Sequence, residues 1–304
     1  MKHLVAFVFL VLCLAQLSWG SSNELKTLHT HLFALEASPD DSRKIEVLAV
    51  GSPRILYLGS EESESLVSAR VALQTRSEVE IEVNPSTAEI YKISLVSEKP
   101  TQPRSRYTRW NPGLYSPSIL SNYLKTKTLF DSVDSYSDAD LSDNCYNRAH
   151  YWARAFEVEN EIKSMKVFVL FTPRYRRENK FNWWYHVAPF VNVKAIEGEK
   201  QIVLDPSYEP LPIALKKWVF HFASKADSCR VANSIHEYEE TQNQGGCVVI
   251  TASMYHYTPH DLDPANPPVG WRCEDIEDIQ KALRAPAPYK DWSDYTAFTP
   301  NHCR

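Results

Sequence analysis

Apolar and polar positions alternate through the first hundred residues. Lys44 to Val50 (KIEVLAV), Arg54 to Leu58 (RILYL), Val67 to Leu73 (VSARVAL), Val79 to Val83 (VEIEV) and Glu89 to Val96 (EIYKISLV) are each rich in Val, Ile, Leu and Tyr. Turn-forming Gly51-Ser52-Pro53 and Asn84-Pro85-Ser86 separate them. The pattern predicts short strands and a β-rich unit over residues 21–98. His29 and His31 share one edge of a strand or helix and say little. From Lys99 the pattern stops. Residues 99–115, with Pro100, Pro103, Arg104, Arg106 and Arg109, read as an exposed basic linker. Such a linker is a tether, or a cleavage site between a pro-region and the next domain. The residues by themselves favour the tether.

Residues 116–304 form the second predicted unit. Pro117 to Lys127 and Ser135 to Leu141 read as short helices or turns. A helix opens at Cys145, where Ala149, Trp152, Ala153 and Phe156 recur at three- and four-residue spacing. Ser164 to Thr172 (SMKVFVLFT) predicts a strand closed by Pro173, and Arg174 to Lys180 a basic loop; Arg174, Arg176, Arg177 and Lys180 could attract acidic substrate proteins, and the reading favoured is a solvated loop face. Phe181 to Val193 predicts an aromatic strand. Glu197-Gly198 marks a turn, and Lys200 to Leu204 a third strand ending at Asp205-Pro206. The fold class expected is α+β.

Composition narrows the function. Lys2 and His3 precede an apolar run from Leu4 to Leu17, and Ser18-Trp19-Gly20 offers small residues for cleavage. Residues 1–20 therefore read as a signal peptide, and the chain as secreted or periplasmic. No later stretch has the roughly 18 apolar residues of a membrane span. With a net charge of −5 and 43% apolar residues, neither nucleic acid nor a membrane is an expected partner, and the chain can bury a sizeable core. Eight glycines, with no Walker motif and no GxGxxG, leave no phosphate loop to propose.

Cysteine number is the sharper clue. Removing Cys13 with the leader leaves Cys145, Cys229, Cys247, Cys273 and Cys303. In an oxidising compartment an odd thiol needs a reason. The last four lie close together in sequence, with Cys229–Cys247 and Cys273–Cys303 as the pairing preferred by proximity. Cys145 stands apart. Asp143-Asn144 precedes it as a helix cap, so backbone N–H groups and the positive end of the helix dipole converge on it. That setting predicts a thiol that ionises easily.

A cysteine nucleophile needs a base, and the base an orienting partner. His150, five residues along the same helix, is rotated about 140° from Cys145 and is a poor base. His186 lies among Tyr185 and Val187, equally a packed core histidine or a placed base. A hairpin turning near 195–197 puts Asp205 opposite residue 186 or 188, on the same face as His186 and within roughly 5–8 Å. Alone, Asp205-Pro206 is a common turn. Trp183 and Trp184 alternate to opposite faces, so one could wall a cleft while the other fills the core. His256, His260 and Asp261 fit no zinc spacing and read as a solvated loop.

Three motifs carry a resemblance: Asp143-Asn144-Cys145-Tyr146-Asn147-Arg148-Ala149-His150, Trp184-Tyr185-His186-Val187-Ala188 and Val203-Leu204-Asp205-Pro206-Ser207. Over roughly Asp143 to Cys247 the chain resembles the bacterial protein glutaminases (protein-glutamine deamidases). The resemblance implies a transglutaminase/papain-like domain, with a Cys-bearing helix on an antiparallel sheet that carries His and Asp. It implies Cys145 as nucleophile, His186 as base and Asp205 as orienting acid, with no cofactor or metal. Asn144, Trp184 and Tyr185 are the expected substrate-cleft residues. The reaction implied is hydrolysis of the carboxamide of protein-bound glutamine, with release of ammonia. Its partners are proteins with exposed glutamine, and the N-terminal unit serves as a zymogen's intramolecular inhibitor. Asn144 departs from the glycine of the family motif, and Arg174–Lys180 falls outside it; both bear on substrate preference. The alternatives are a transglutaminase joining Gln to Lys, a cysteine protease, and a secreted binding module with a relict triad.

Overall fold

The computed structural model describes residues 25–96, 115–133, 145–222, 229–241 and 246–265, with 267, 268, 270–273, 275, 276 and 279. The expected leader 1–20, the expected linker up to residue 114, Ser135–Leu141, Asn144 and Cys303 lie outside the described residues.

The first unit is a five-stranded antiparallel sheet built from β1 (Lys26–Ala37), β2 (Lys44–Ala49), β3 (Leu56–Gly59), β4 (Glu78–Val83) and β5 (Ile90–Leu95). Strand order is β3-β2-β1-β4-β5. Helix α1 (Glu64–Thr75) covers one face. Val67–Leu73, expected as a strand, lies inside this helix. Ser63 caps it by accepting from the Leu66 N–H at 3.2 Å. Leu66, Ala69 and Ala72 recur every three residues and are buried against Val47, Leu56, Val79 and Ile81. Val67 and Val71 turn outward. Helical period and a good cap thus override β-branched propensity. β1, the central strand, had no prediction beyond the edge assigned to His29 and His31.

The second unit is a seven-stranded mixed sheet. Its strands are β6 (Ile119–Leu120), β7 (Met165–Phe171), β8 (Tyr185–Ala195), β9 (Gly198–Val203), β10 (Ile213–Ala214), β11 (Cys229–Ala232) and β12 (Cys247–Ser253). The order is β10-β9-β8-β7-β12-β11, with β6 pairing β8. Five helices attend it: α2 (Tyr123–Ser132), α3 (Cys145–Asn160), α4 (Pro173–Asn179), α5 (Leu215–Phe222) and α6 (Ile235–Thr241). Together the two units make an α+β fold. β7 and most of β8 are buried on both faces, so they read as near-continuous apolar runs. On one side Trp152 and Phe156 of α3 pack on Val191, Val193, Ile202 and Leu204. On the other, Trp218 and Phe222 of α5 pack on Val169, Ala188, Phe190 and Val203. Parallel β11 and β12 are joined by the Cys229–Cys247 disulfide at directly paired positions. Cys273 is also disulfide-bonded.

Arg174–Lys180, expected as a loop, is mostly helix α4. Thr172 caps it by accepting from the Tyr175 N–H at 3.2 Å, and Pro173 takes the first turn. A Thr-Pro pair is a helix-start signature, which the run of charge masks in the sequence.

A further core joins the two units. Leu48 and Ile55 of the first pack with Cys145, Ala149, Phe168, Leu170, Trp184 and Val187 of the second, and Phe33 packs against the same cluster. No helix among the described residues is long and apolar enough to cross a membrane.

Candidate active site

Cys145 is the first residue of α3 and is the free cysteine among the described residues. Its helix-start position agrees with the sequence reading, but its environment does not. The thiol is 1% exposed, and burial pushes its pKa up to about 12. Arg148 and hydrogen bonds from the Val187 and Tyr146 backbone pull the other way, while the Asp205 charge adds to the rise. Helix-start stabilisation of a thiolate holds only where water or a counter-charge can reach it. Here the shared core excludes water, and the thiol stays protonated.

His186 and Asp205 meet as the hairpin predicted. β8 and β9 pair in register from Phe190↔Val203 to Ala195↔Gly198. Continuing that register places residue 205 across from 188, diagonal to His186. The His186 Nε2 lies 2.9 Å from Asp205 Oδ2, and both residues are buried. Nδ1 of His186 carries no hydrogen bond among the described residues. Burial lowers the His186 pKa, and the Asp205 charge and hydrogen bond oppose that. Asp205 also makes an ordinary Asp-Pro turn, since its carbonyl accepts from Tyr208 N and Glu209 N.

Trp218 was not anticipated. Its Nε1–H donates to Asp205 Oδ2 at 3.0 Å, so one carboxylate oxygen takes both an imidazole and an indole. Trp183 stacks on His186 at 5.6 Å, and Tyr208 and Phe222 complete an aromatic surround at 4.7 and 4.9 Å. Of the tryptophan pair, Trp183 is the one beside the imidazole, and Trp184 is the fully buried one. Such a jacket keeps the His–Asp bond dry and strong. Replacing Asp205 with Asn keeps shape but removes the charge that favours imidazolium. On the role that the resemblance implies for Asp205, a roughly 10²–10⁴-fold fall in kcat is the expected result, measured by ammonia release. A fall under threefold would remove Asp205 from the catalytic group.

The expected cleft residues Trp184 and Tyr185 are fully buried, in the core shared with Leu48 and Ile55 of the first unit. Four consecutive carbonyls of residues 50–53 each accept a hydrogen bond from the second unit. Tyr185 Oη donates to Val50 O at 3.1 Å, and Tyr146 Oη to Gly51 O at 2.9 Å. Trp184 Nε1 donates to Ser52 O at 2.7 Å, and Trp184 N to Pro53 O at 2.8 Å. Ile55 N returns a bond to Asn182 O at 2.8 Å. Asn144 lies outside the described residues.

His150 stays away from the thiol, as helical geometry predicts. It is fully buried, with Nδ1 2.5 Å from Lys166 Nζ, and its ring packs on Tyr257 and Trp271. Burial drives both His150 and Lys166 toward their neutral forms. The loop expected to be solvated is instead built in. His256 bonds Ser253, and its carbonyl accepts from Lys166. Asp261 accepts from Tyr257 N and Thr258 N and pairs with Arg272. Asn147 receives the Tyr257 hydroxyl, which ties the Cys145 helix to this cluster.

Burial lowers the His256 pKa to about 4. A histidine depressed in the fold contributes stability that is full above its unfolded pKa near 6.5. That stability is lost as pH falls to about 4. The loss for His256 alone is about 3 kcal/mol. The thermal midpoint should therefore drop between pH 7 and pH 4, and by less in His256→Asn. Equal drops in both proteins would contradict the assignment.

Residues 119–222 match the family model described as glutaminase. That span contains Cys145, His186, Asp205 and Trp218. The crystal structure of pro-protein-glutaminase shares the fold at a TM-score of 0.52 and 19% identity, with 89% of this chain and 98% of that one covered. A mutant of pro-protein-glutaminase matches at 0.53 and 19%, over 89% and 99%. No curated protein sequence matches. The family match falls on the stretch that builds the Cys145 helix and the His186–Asp205 hairpin, and over that stretch the chain is similar to the glutaminase family.

Proposed function

We propose that this protein is an exported enzyme that deamidates glutamine side chains in proteins through a Cys145 thioester. The observation that carries the reading is the buried His186–Asp205 pair at 2.9 Å, on the hairpin packed against the helix that Cys145 begins. Cys145 on a helix start, His186 on a strand and Asp205 at the end of the next strand follow the transglutaminase/papain-like plan. The family match supports a glutaminase.

In the proposed cycle, His186 takes the Cys145 proton and the thiolate attacks the glutamine Cδ. Backbone N–H groups at the helix start hold the oxyanion. Imidazolium protonates the departing nitrogen, and ammonia leaves as the thioester forms. His186 then draws a proton from water, which attacks the thioester carbonyl. Glutamate leaves and the thiol is restored.

Residues 21–98 act as the intramolecular inhibitor in this reading, with 99–115 as the segment to be cut. Support comes from the buried thiol and from the four carbonyls gripped beside it. The leader at 1–20 supports export. Mass spectrometry of a protein substrate tests the chemistry: deamidation adds about one dalton per glutamine and releases ammonia. Cross-links to lysine, or peptide cleavage, without that gain would replace the proposal by a transglutaminase or a protease.

A further inference from the structure

The basic stretch of α4 divides in two. Arg174 is exposed and pairs within its own helix with Glu178 at 2.7 Å. Arg176 is 3% exposed and turns to the first unit. Its Nη2 lies 2.8 Å from Glu36 Oε2 on β1 and 3.5 Å from Glu46 Oε2 on β2. Its Nε and Nη1 have no hydrogen-bond partner among the described residues. Both carboxylates paired with this guanidinium therefore belong to the unit that the proposed activation removes. Asp40 and Arg177 lie in the same field. Phe33, also of the first unit, stacks on Trp184 at 4.9 Å in the same cluster. Removing the first unit strips a carboxylate pair from an arginine and a ring from a tryptophan.

A guanidinium that has lost two carboxylates can take another, which it binds with charge-assisted hydrogen bonds. Glu46 shows the path. It stands on β2 four residues before Val50, the first gripped carbonyl, a distance of about 13 Å along a strand.

We propose that Arg176 is an acid-reading subsite, which takes an Asp or Glu side chain of the protein substrate a few residues from the target glutamine. The substrate class is thus glutamine in acidic sequence. This rests on the deamidase reading and on departure of the first unit.

The test uses the full chain cut in its basic segment 99–115 and diluted so that the first unit dissociates. One peptide series carries a single glutamine and one Glu placed in turn at up to six positions on either side; a control has Ala instead. A parallel series has norleucine for glutamine and reports binding by fluorescence anisotropy without chemistry. At one position Glu should improve both kcat/KM and binding about tenfold over Ala, the scale of one charge-assisted contact. Arg176→Gln should bring that ratio to about one, and Arg176→Glu should favour a Lys peptide instead. Equal handling of Glu and Ala by the unmutated protein, or a preference that survives in both variants, overturns the subsite. Should the variants not fold, a wild-type Glu preference that persists unchanged in high salt overturns it too. Binding selectivity without ammonia would uphold the subsite while sinking the deamidase reading.

Discussion

Cys145→Ala is expected to lose ammonia release from a glutamine-bearing protein by at least about 10⁴-fold, since the proposed mechanism forms its acyl intermediate on Cys145. The substitution removes one sulfur from a buried position and leaves Ala at the start of a helix. Ala149, Trp152 and Phe156 still anchor that helix, so the fold should persist. Cys145→Ser is the sharper version. Its hydroxyl is close in shape but ionises far less readily than a thiol, and activity should stay near the Ala level. The chemistry is read as ammonia against time, with far-ultraviolet dichroism as the folding control. Activity within tenfold of the parent in either variant would end the thioester mechanism.

The second large effect concerns the unmutated thiol. In the intact chain Cys145 has a pKa of about 12 and is 1% exposed. At pH 8 such a thiol is ionised to about one part in 10⁴, against roughly a quarter for an ordinary cysteine. Ionisation alone then slows iodoacetamide by about 10³-fold, and burial slows it further. Cutting the basic segment and letting the first unit leave should restore an ordinary or faster rate. Cys229, Cys247 and Cys273 are disulfide-bonded, so peptide mapping assigns the label to Cys145. An intact chain that alkylates like free cysteine would dismiss residues 21–98 as the inhibitor.

What the sequence disclosed tracks the range of each interaction. The His186–Asp205 pair is legible because a hairpin converts spacing into contact, and Glu197-Gly198 marks the turn. His150 can be set aside because helical rotation is local geometry. Arg174–Lys180 misleads through charge, although Thr172-Pro173 announces a helix. Val67–Leu73 misleads through propensity, although Leu66, Ala69 and Ala72 keep a helical period. Trp218 leaves a trace: Leu215, Trp218, Val219 and Phe222 fall at helical spacing. That it would bond Asp205 depends on how α5 lands on the sheet, which spacing does not encode. The thiol is the largest inversion. A local rule makes it acidic, and a core shared with a segment some ninety residues upstream in the chain buries it.

The grip on Val50, Gly51, Ser52 and Pro53 is made to carbonyl oxygens alone. Carbonyls are common to all residues, so the latch is written in a script without letters. Its sequence is free to drift between relatives wherever the turn closed by Ser52 N on Ala49 O is kept and Gly51 keeps its close approach to Thr30. Its length is not free. One residue inserted between Val50 and Pro53 would offset carbonyls and donors by a whole step, and the lock would fail although no side chain had changed.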